Sequence, residues 1–171
     1  MNAVVASGVS AQAYARGFDP AWIDLSKGLG CPVGGVLVGS KAFIEDAWFY
    51  KQQLGGAMRQ AGIIAAAGVY ALEHHVERLA EDHENARHFA GLVADIDGIE
   101  LVYDQTETNM VYLDVSGTNM TAAEVHDRLL PLGVRIGASA RTVMRAVTHL
   151  DVSREDMETA AKALRAVALG E

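Results

Sequence analysis

A glycine-rich turn directly after a short apolar stretch is the feature that most constrains the fold of this 171-residue chain. Residues 21–23 are apolar, Lys27 follows, and glycines stand at positions 28, 30, 34 and 35. This spacing predicts a strand over 22–25 that ends in a sharp turn, because glycine adopts backbone conformations closed to other residues. The turn leaves one lysine at a strand end with little side-chain bulk beside it.

A lysine in such a position has room above its amine for a flat cofactor. It suits Schiff-base chemistry, in which the amine bonds covalently to a carbonyl carbon. Ser26-Lys27-Gly28 is equally typical of a plain surface turn, where the lysine is only solvated. The turn by itself leaves both interpretations open.

Composition excludes several classes of function. A formal net charge of −8 argues against nucleic-acid binding. The single cysteine, Cys31, permits no disulfide within the chain, which is typical of a reducing compartment. The first residues lack the basic start of a secretory signal, and no window reaches the roughly 18 apolar residues of a membrane span. We therefore predict a cytoplasmic protein with neither a nucleic-acid nor a membrane partner.

The first half of the sequence predicts a thin layer of strands and helices. Residues 35–39 predict a second, fully buried strand, and Ser40 is placed to cap a helix over 41–53. A long helix is predicted over 58–89, and its first half is apolar on nearly every side, which is typical of a helix buried all round. Two strands are too few to cover it, so we expect the chain to be the back part of a larger domain.

The second half of the sequence predicts a different order of strands and helices. Strands are predicted over 99–103, 110–115, 134–136 and 142–147. Helices are predicted to begin at two capping boxes, Thr121 with Glu124 and Ser153 with Asp156. Two strands, a helix, two strands and a helix form an α+β arrangement. The domain boundary is predicted within the long helix, which gives domains 1–78 and 79–171.

The six histidines do not predict a metal site. His74 and His75 are adjacent and point about 100° apart on a helix. His75 and His83 are two turns apart, too far for one ion, and the chain has no cysteine pair to assist. We therefore expect no bound metal.

Four motifs occur in a fixed order: residues 24–34 (DLSKGLGCPVG), 55–62 (GGAMRQAG), 75–86 (HVERLAEDHENA) and 145–151 (RAVTHLD). Together they resemble the low-specificity L-threonine aldolases, which are fold type I pyridoxal-phosphate enzymes of the beta-eliminating lyase branch. The resemblance covers essentially the whole chain but only about the second half of a family member. It implies an α/β fold, in which a remnant of the pyridoxal-phosphate large domain precedes a small α+β C-terminal domain.

The resemblance also implies roles for three residues. Lys27 would bond covalently to pyridoxal 5′-phosphate, Arg59 would contact the cofactor phosphate, and Arg145 would hold the substrate carboxylate. The implied reaction cleaves L-threonine or L-allo-threonine to glycine and acetaldehyde. Family members are typically homotetramers.

Family members carry further cofactor contacts in the part that precedes the equivalent of Met1, including the partner of the pyridine nitrogen. We therefore expect the 171-residue chain to be inactive on its own. Two alternatives remain open at this point. One is another fold type I pyridoxal-phosphate lyase, and the other is a non-catalytic fragment that acts as an interaction module through exposed apolar surface.

Overall fold

The computed structural model describes residues 1–170, which form two compact units that divide between Leu79 and Ala80. The first unit contains, in chain order, α1 (Asn2–Ser7), α2 (Ala11–Ala15), β1 (Ala21–Asp24), β2 (Gly35–Val38), α3 (Lys41–Gln53) and α4 (Gly62–His74). Strands β1 and β2 pair in antiparallel register, with Ala21 opposite Val38 and Asp24 opposite Gly35. Ser40 caps α3 by accepting from the Phe43 N–H, as predicted.

The core of the first unit is small and lies beneath the glycine-rich turn. Its buried side chains are Leu25, Leu29, Cys31, Ala71 and Leu79. Residue Gly68 of α4 lies against Leu25, since a Cβ at that position would come within 2.9 Å of Leu25 Cδ1. Helix α4 therefore packs closely on the turn that carries Lys27.

Two predictions for the first unit are wrong. Strand β2 is exposed along its whole length, because the two-stranded sheet has no further layer over it among residues 1–170. Helix α4 buries only Gly68 and Ala71, while Ile63 is 81% exposed and Val69 is 56% exposed. Strand β2 and helix α4 are as apolar as the sequence predicts, but the surface that would cover them is not in this unit.

The predicted long helix over 58–89 is also wrong, because it is divided into two. Helix α4 ends at His74, and α5 (Leu79–Val93) begins after a turn closed by a hydrogen bond from the Leu79 N–H to the Val76 carbonyl. Val76 packs against the small core of the first unit. Tertiary contacts at the turn therefore override the helical pattern of the sequence.

The second unit is an antiparallel sheet packed against helices, as the α+β pattern predicts. Its elements are α5, β3 (Glu100–Leu101), β4 (Met110–Asp114), α6 (Ala122–Leu129), β5 (Gly137–Ala138), β6 (Val143–Val147) and α7 (Arg154–Leu169). The strand order is β3-β4-β6-β5. The predicted strand over 134–136 is shifted, since Val134 and Ile136 are core residues that precede β5.

One face of this sheet forms the main core and the other is open. Leu113 and Met144 are fully buried with Phe89, Val125 and Leu164 from the three helices. Both predicted capping boxes are confirmed, at the starts of α6 and α7. The alternate residues of β4 and β6 point to the opposite face, which carries the predicted carboxylate-binding arginine.

Buried polar side chains join the start of α5 to the end of β6. The Thr148 hydroxyl donates to the Asp82 carbonyl at 2.6 Å, and the Asn109 amide donates to the Thr148 carbonyl at 2.8 Å. His83 is 3% exposed beside them. Burial lowers the pKa of His83, the nearby Arg87 lowers it further, and Asp82 acts in the opposite direction.

We expect the stability of the second unit to fall as the pH drops from about 7 to 5. In that window the unfolded chain binds a proton at residue 83 that folded His83 resists, so stability is greatest above the unfolded pKa and is lost below it. One such proton changes the free energy of unfolding by at most about 1.4 kcal/mol per pH unit. Urea unfolding at pH 7.5 and 5.5 measures it, with His83→Gln as the non-titrating control. Equal pH slopes for the two proteins would contradict the assignment.

Candidate active site

Lys27 lies in a tight turn between β1 and β2. The Gly30 N–H donates to the Lys27 carbonyl at 2.8 Å, and the Cys31 N–H donates to the Leu25 carbonyl at 3.0 Å. Gly30 has a φ of 71°, a conformation that favours glycine. The turn presents the Lys27 side chain outward, with 76% of it exposed. A well-fixed backbone thus carries an accessible amine.

Helix α4 fixes this turn from behind. The Cys31 thiol donates to the Ala67 carbonyl at 3.4 Å. The His75 ring, at the end of α4, is 2.7 Å through Nδ1 from the Leu29 carbonyl oxygen. Because a carbonyl only accepts, Nδ1 carries the proton and donates. The residues on both sides of Gly30 are therefore held by side-chain contacts with α4.

A cavity of about 770 Å³ opens beside Lys27 within the first unit. Its wall is largely apolar and includes the aromatic side chains Tyr14, Phe18 and Trp22. Gly28 forms part of the wall, and a Cβ there would meet Asn2 Nδ2 and Leu79 Cδ2 at 3.1 Å. Cavities of this size with apolar walls and a few polar groups hold small molecules and cofactors. The lysine, the bare glycine and the cavity together fit a flat ring with a reactive carbonyl.

An acidic residue forms an ion pair with the side-chain amine of Lys27. Asp24 Oδ2 lies 3.4 Å from Lys27 Nζ. Asp24 Oδ1 accepts from the Ser26 hydroxyl at 3.0 Å and from the Ser26 N–H at 3.3 Å. These hydrogen bonds, the hydroxyl's above all, lower the pKa of Asp24, and Lys27 adds a smaller effect. The carboxylate is therefore charged at neutral pH and pairs with the Lys27 side chain.

We expect Asp24→Asn to increase acylation of Lys27 at pH 7 by roughly 1.5- to 5-fold, because the substitution removes the carboxylate that holds the Lys27 side chain at 3.4 Å, and an exposed ion pair is weak. Acetic anhydride labelling with peptide mass spectrometry measures the rate. Glu45→Gln provides the matched control. It also removes one carboxylate from an exposed ion pair, in which Glu45 lies 3.8 Å from Lys41, four residues before it on the same helix. An unchanged or slower Lys27 rate would show that Asp24 does not restrain the amine.

Arg59 lies in the loop between α3 and α4, three residues before Gly62, and its side chain is exposed. The next residue, Gln60, has a φ of 51°, which few residues other than glycine adopt. The first turn of α4 has no side-chain cap. A cation beside free helix N–H groups is suited to an anion such as phosphate. Among residues 1–170, those that line the Lys27 cavity do not include Arg59.

Arg145 lies in the second unit, at the centre of β6. It stands opposite Tyr112 of β4 and Gly137 of β5, on the open face of the sheet. The Tyr112 ring packs edge to face on Tyr103, with centroids 5.5 Å apart. Arg145 is exposed, and it forms no ion pair within residues 1–170. An exposed guanidinium between an aromatic residue and a glycine is available to a carboxylate.

A metal cluster and a membrane-spanning helix are both absent from the described residues. Residues 1–170 contain no group of three or more His, Cys, Asp or Glu side chains placed to hold a metal ion. Within the same residues, none of the helices is both long and apolar enough to cross a membrane.

Sequence reasoning missed two residues that contact the Lys27 turn. Asp24 carries a usable signal, because a carboxylate three residues before a lysine across a turn is close enough to pair with it. His75 carries none, since its contact with Leu29 spans 46 positions and depends on how α4 packs.

Solved structures share the fold of this chain. One from Exiguobacterium sp. 255-15, assigned as an aromatic amino acid beta-eliminating lyase/threonine aldolase, matches with a TM-score of 0.76 at 20% identity, over 97% of this chain and 49% of its own. L-threonine-O-3-phosphate decarboxylase from Porphyromonas gingivalis matches with a TM-score of 0.67 at 20% identity, over 93% and 50%. At these identities the likeness shows the fold alone. The predicted α/β class is confirmed.

Sequence comparison then shows the family. The model of the beta-eliminating lyase family matches residues 1–116, and the chain belongs to this family. It is 42% identical over 165 residues to the low specificity L-threonine aldolase of Escherichia coli K12, covering 96% of this chain and 47% of that relative. It is 35% identical over 157 residues to low-specificity L-threonine aldolase 1 of Arabidopsis thaliana, covering 91% and 44%. The resemblance drawn from the four motifs is confirmed, and the chain spans about half the length of these curated relatives.

Proposed function

We propose that this chain supplies the lysine-bearing half of a pyridoxal-phosphate-dependent lyase that cleaves L-threonine or L-allo-threonine to glycine and acetaldehyde. The observation that carries the proposal is the exposed Lys27 amine, carried by a fixed glycine turn at the edge of a cavity of about 770 Å³. Membership of the beta-eliminating lyase family and the names of the relatives support the same reaction.

The cofactor, when bound, withdraws electrons from the substrate Cα, which makes the Cα–Cβ bond breakable. Lys27 is the residue that bonds to it covalently. Arg59, beside the uncapped start of α4, contacts its phosphate. Arg145 holds the substrate carboxylate through two parallel N–H donors, which fixes which bond of Cα is broken. The β-hydroxyl loses a proton and Cα gains one, so the reaction balances without water.

Each unit has a place in this proposal. Residues 1–78 would be the remnant of the large cofactor-binding domain, and residues 79–171 would be the small C-terminal domain. The 171-residue chain alone would show no turnover, because the matched relatives contain about as much sequence again. The complete enzyme would be a cytoplasmic homotetramer, and the single buried free cysteine is compatible with a reducing compartment.

One observation favours a second function, that of a non-catalytic interaction module. The first unit exposes large apolar side chains, including Trp22 at 76%, Leu54 at 85% and Ile63 at 81%. Exposed apolar side chains that share one patch are typical of a binding face. Size-exclusion chromatography with a hydrophobic dye separates the two cases, because a module without partners would self-associate and bind the dye. A monodisperse, dye-silent monomer would count against it.

The enzymatic proposal is tested with a hybrid protein. The part of the Escherichia coli relative that this chain does not match is fused before Met1, since the chain corresponds to the C-terminal half of its relatives. With pyridoxal phosphate, this hybrid is expected to release acetaldehyde and glycine from L-threonine in equal amounts, while the 171-residue chain releases none above its Lys27→Ala variant. A folded, cofactor-loaded hybrid that eliminates from β-substituted amino acids but does not cleave threonine would favour another lyase of the same fold.

A further inference from the structure

Two adjacent histidines at the end of α4 both pack on Tyr70, and His75 in addition bonds to the turn that carries Lys27. His74 is exposed, and its ring packs on Tyr70 with centroids 4.4 Å apart. His75 is half-buried and donates from Nδ1 to the Leu29 carbonyl at 2.7 Å. His75 also caps α4, because its own N–H donates to the Ala71 carbonyl at 2.8 Å. The ring of His75 therefore projects from a fixed point of the backbone.

A single peptide group connects His75 to Lys27. The carbonyl of the Leu29–Gly30 peptide accepts from His75, and the N–H of the same peptide donates to the Lys27 carbonyl at 2.8 Å. The two hydrogen bonds lie at opposite ends of one rigid plane. Each bond polarises the peptide in the direction that strengthens the other. Rotation of this plane would break both bonds together.

The residues around the Leu29–Gly30 peptide make its orientation depend on the hydrogen bond from His75. Leu29 is 2% exposed and belongs to the core of the first unit, so its side chain anchors one end of the peptide. Gly30, at the other end, has no side chain to restrict it and already holds a φ of 71°. Without the His75 donor, the half-buried carbonyl loses its partner at a cost that favours reorientation.

We propose that His75 is a positioning residue that sets the direction of the Lys27 amine for covalent attachment of pyridoxal phosphate. This inference rests on the proposed function, because Lys27 must be the residue that bonds to the cofactor. His75 acts through the Leu29–Gly30 peptide and touches neither the amine nor the cofactor.

The test measures how fast pyridoxal phosphate, trapped by borohydride, labels Lys27 in the hybrid protein described above. The chain has three other lysines, Lys41, Lys51 and Lys162, whose labelling in the same sample gives an internal reference. His75→Ala is expected to lower the Lys27 rate relative to that reference by about five- to ten-fold. His74→Ala is the matched control and is expected to leave the ratio unchanged within about 1.5-fold, since the exposed His74 ring packs on Tyr70, and Tyr70 keeps its own edge-to-face contact with His75.

A conservative variant separates positioning from general packing. In His75→Asn the side-chain N–H stands the same number of bonds from the backbone as Nδ1, so it is expected to restore the Lys27 ratio within about two-fold. In His75→Gln the donor is one bond farther away, and no restoration is expected. This pair serves as the decisive comparison where His75→Ala fails to fold.

Amide hydrogen exchange gives a second readout. The Gly30 N–H is expected to lose protection in His75→Ala, while the Cys31 N–H, bonded to the Leu25 carbonyl, keeps its protection. A loss of protection at both amides would indicate general loosening and would overturn the proposal.

The outcomes distinguish this inference from the function on which it rests. If wild-type Lys27 is labelled no faster than the other lysines, both the proposed function and this inference fail. If Lys27 is labelled preferentially but His75→Ala has the wild-type ratio, the inference alone is overturned. Equal ratios for the Asn and Gln variants would overturn it as well.

Discussion

Replacing Lys27 with alanine is expected to lower L-threonine cleavage by the hybrid protein at least about a thousand-fold. The amine is the group that would form and release the covalent bond to the cofactor, and loss of such a group removes the reaction path rather than weakening it. Acetaldehyde release at saturating pyridoxal phosphate measures the effect.

Lys41→Ala is the matched control for this substitution. Lys41 lies at the start of α3, where its amine pairs with Glu45, and it does not line the Lys27 cavity among residues 1–170. It is expected to keep wild-type activity. If the Lys27→Ala hybrid kept at least about a tenth of the activity of the unsubstituted hybrid, Lys27 would have no covalent role in the reaction.

Replacing Arg145 with lysine is expected to raise KM for L-threonine by about 10- to 100-fold, with a smaller effect on kcat. A lysine keeps the positive charge but loses the planar pair of donors that a carboxylate accepts in parallel. Because Arg145 is exposed and opposes Tyr112 and Gly137 on the sheet, the substitution leaves the core of the second unit intact. Steady-state kinetics of the hybrid measure the change.

Arg141 serves as the control for Arg145. It lies just before β6, is also exposed, and takes part in the fold through its backbone carbonyl, which accepts from the Ala122 N–H. Arg141→Lys is expected to leave KM unchanged. An Arg145→Lys hybrid with wild-type KM would show that the substrate carboxylate is held elsewhere.

Helix starts were the part of the fold that the sequence predicted best. Ser40, Thr121 and Ser153 cap the helices that follow them, because capping depends on a side chain three residues or fewer from the groups it satisfies. The interaction is local, so the local sequence is sufficient to predict it.

Burial was predicted less well because it depends on surfaces far away in sequence. Strand β2 and helix α4 have the apolar composition of core elements, yet their side chains are largely exposed in the first unit. The composition of an element indicates whether it is suited to pack against apolar surface. It does not indicate whether that packing partner lies within the same 171 residues.

In the candidate site, too, local features were predictable from the sequence and contacts between distant residues were not. Lys27 was recognisable from the glycines beside it, since the turn geometry that exposes the amine is encoded within a few residues. The roles of Lys27, Arg59 and Arg145 toward cofactor and substrate stay predictions, drawn from the family resemblance. The contact of His75 with Leu29 was beyond sequence reasoning, because it requires the helix break at residues 75–78 that the helical pattern did not predict.

The most direct test of the account identifies the side chain that carries the cofactor. The hybrid protein is incubated with pyridoxal phosphate, reduced with borohydride and digested, and the modified peptide is sequenced by mass spectrometry. The adduct is expected chiefly on Lys27. An adduct distributed evenly over Lys41, Lys51 and Lys162, or absent from Lys27, would contradict it.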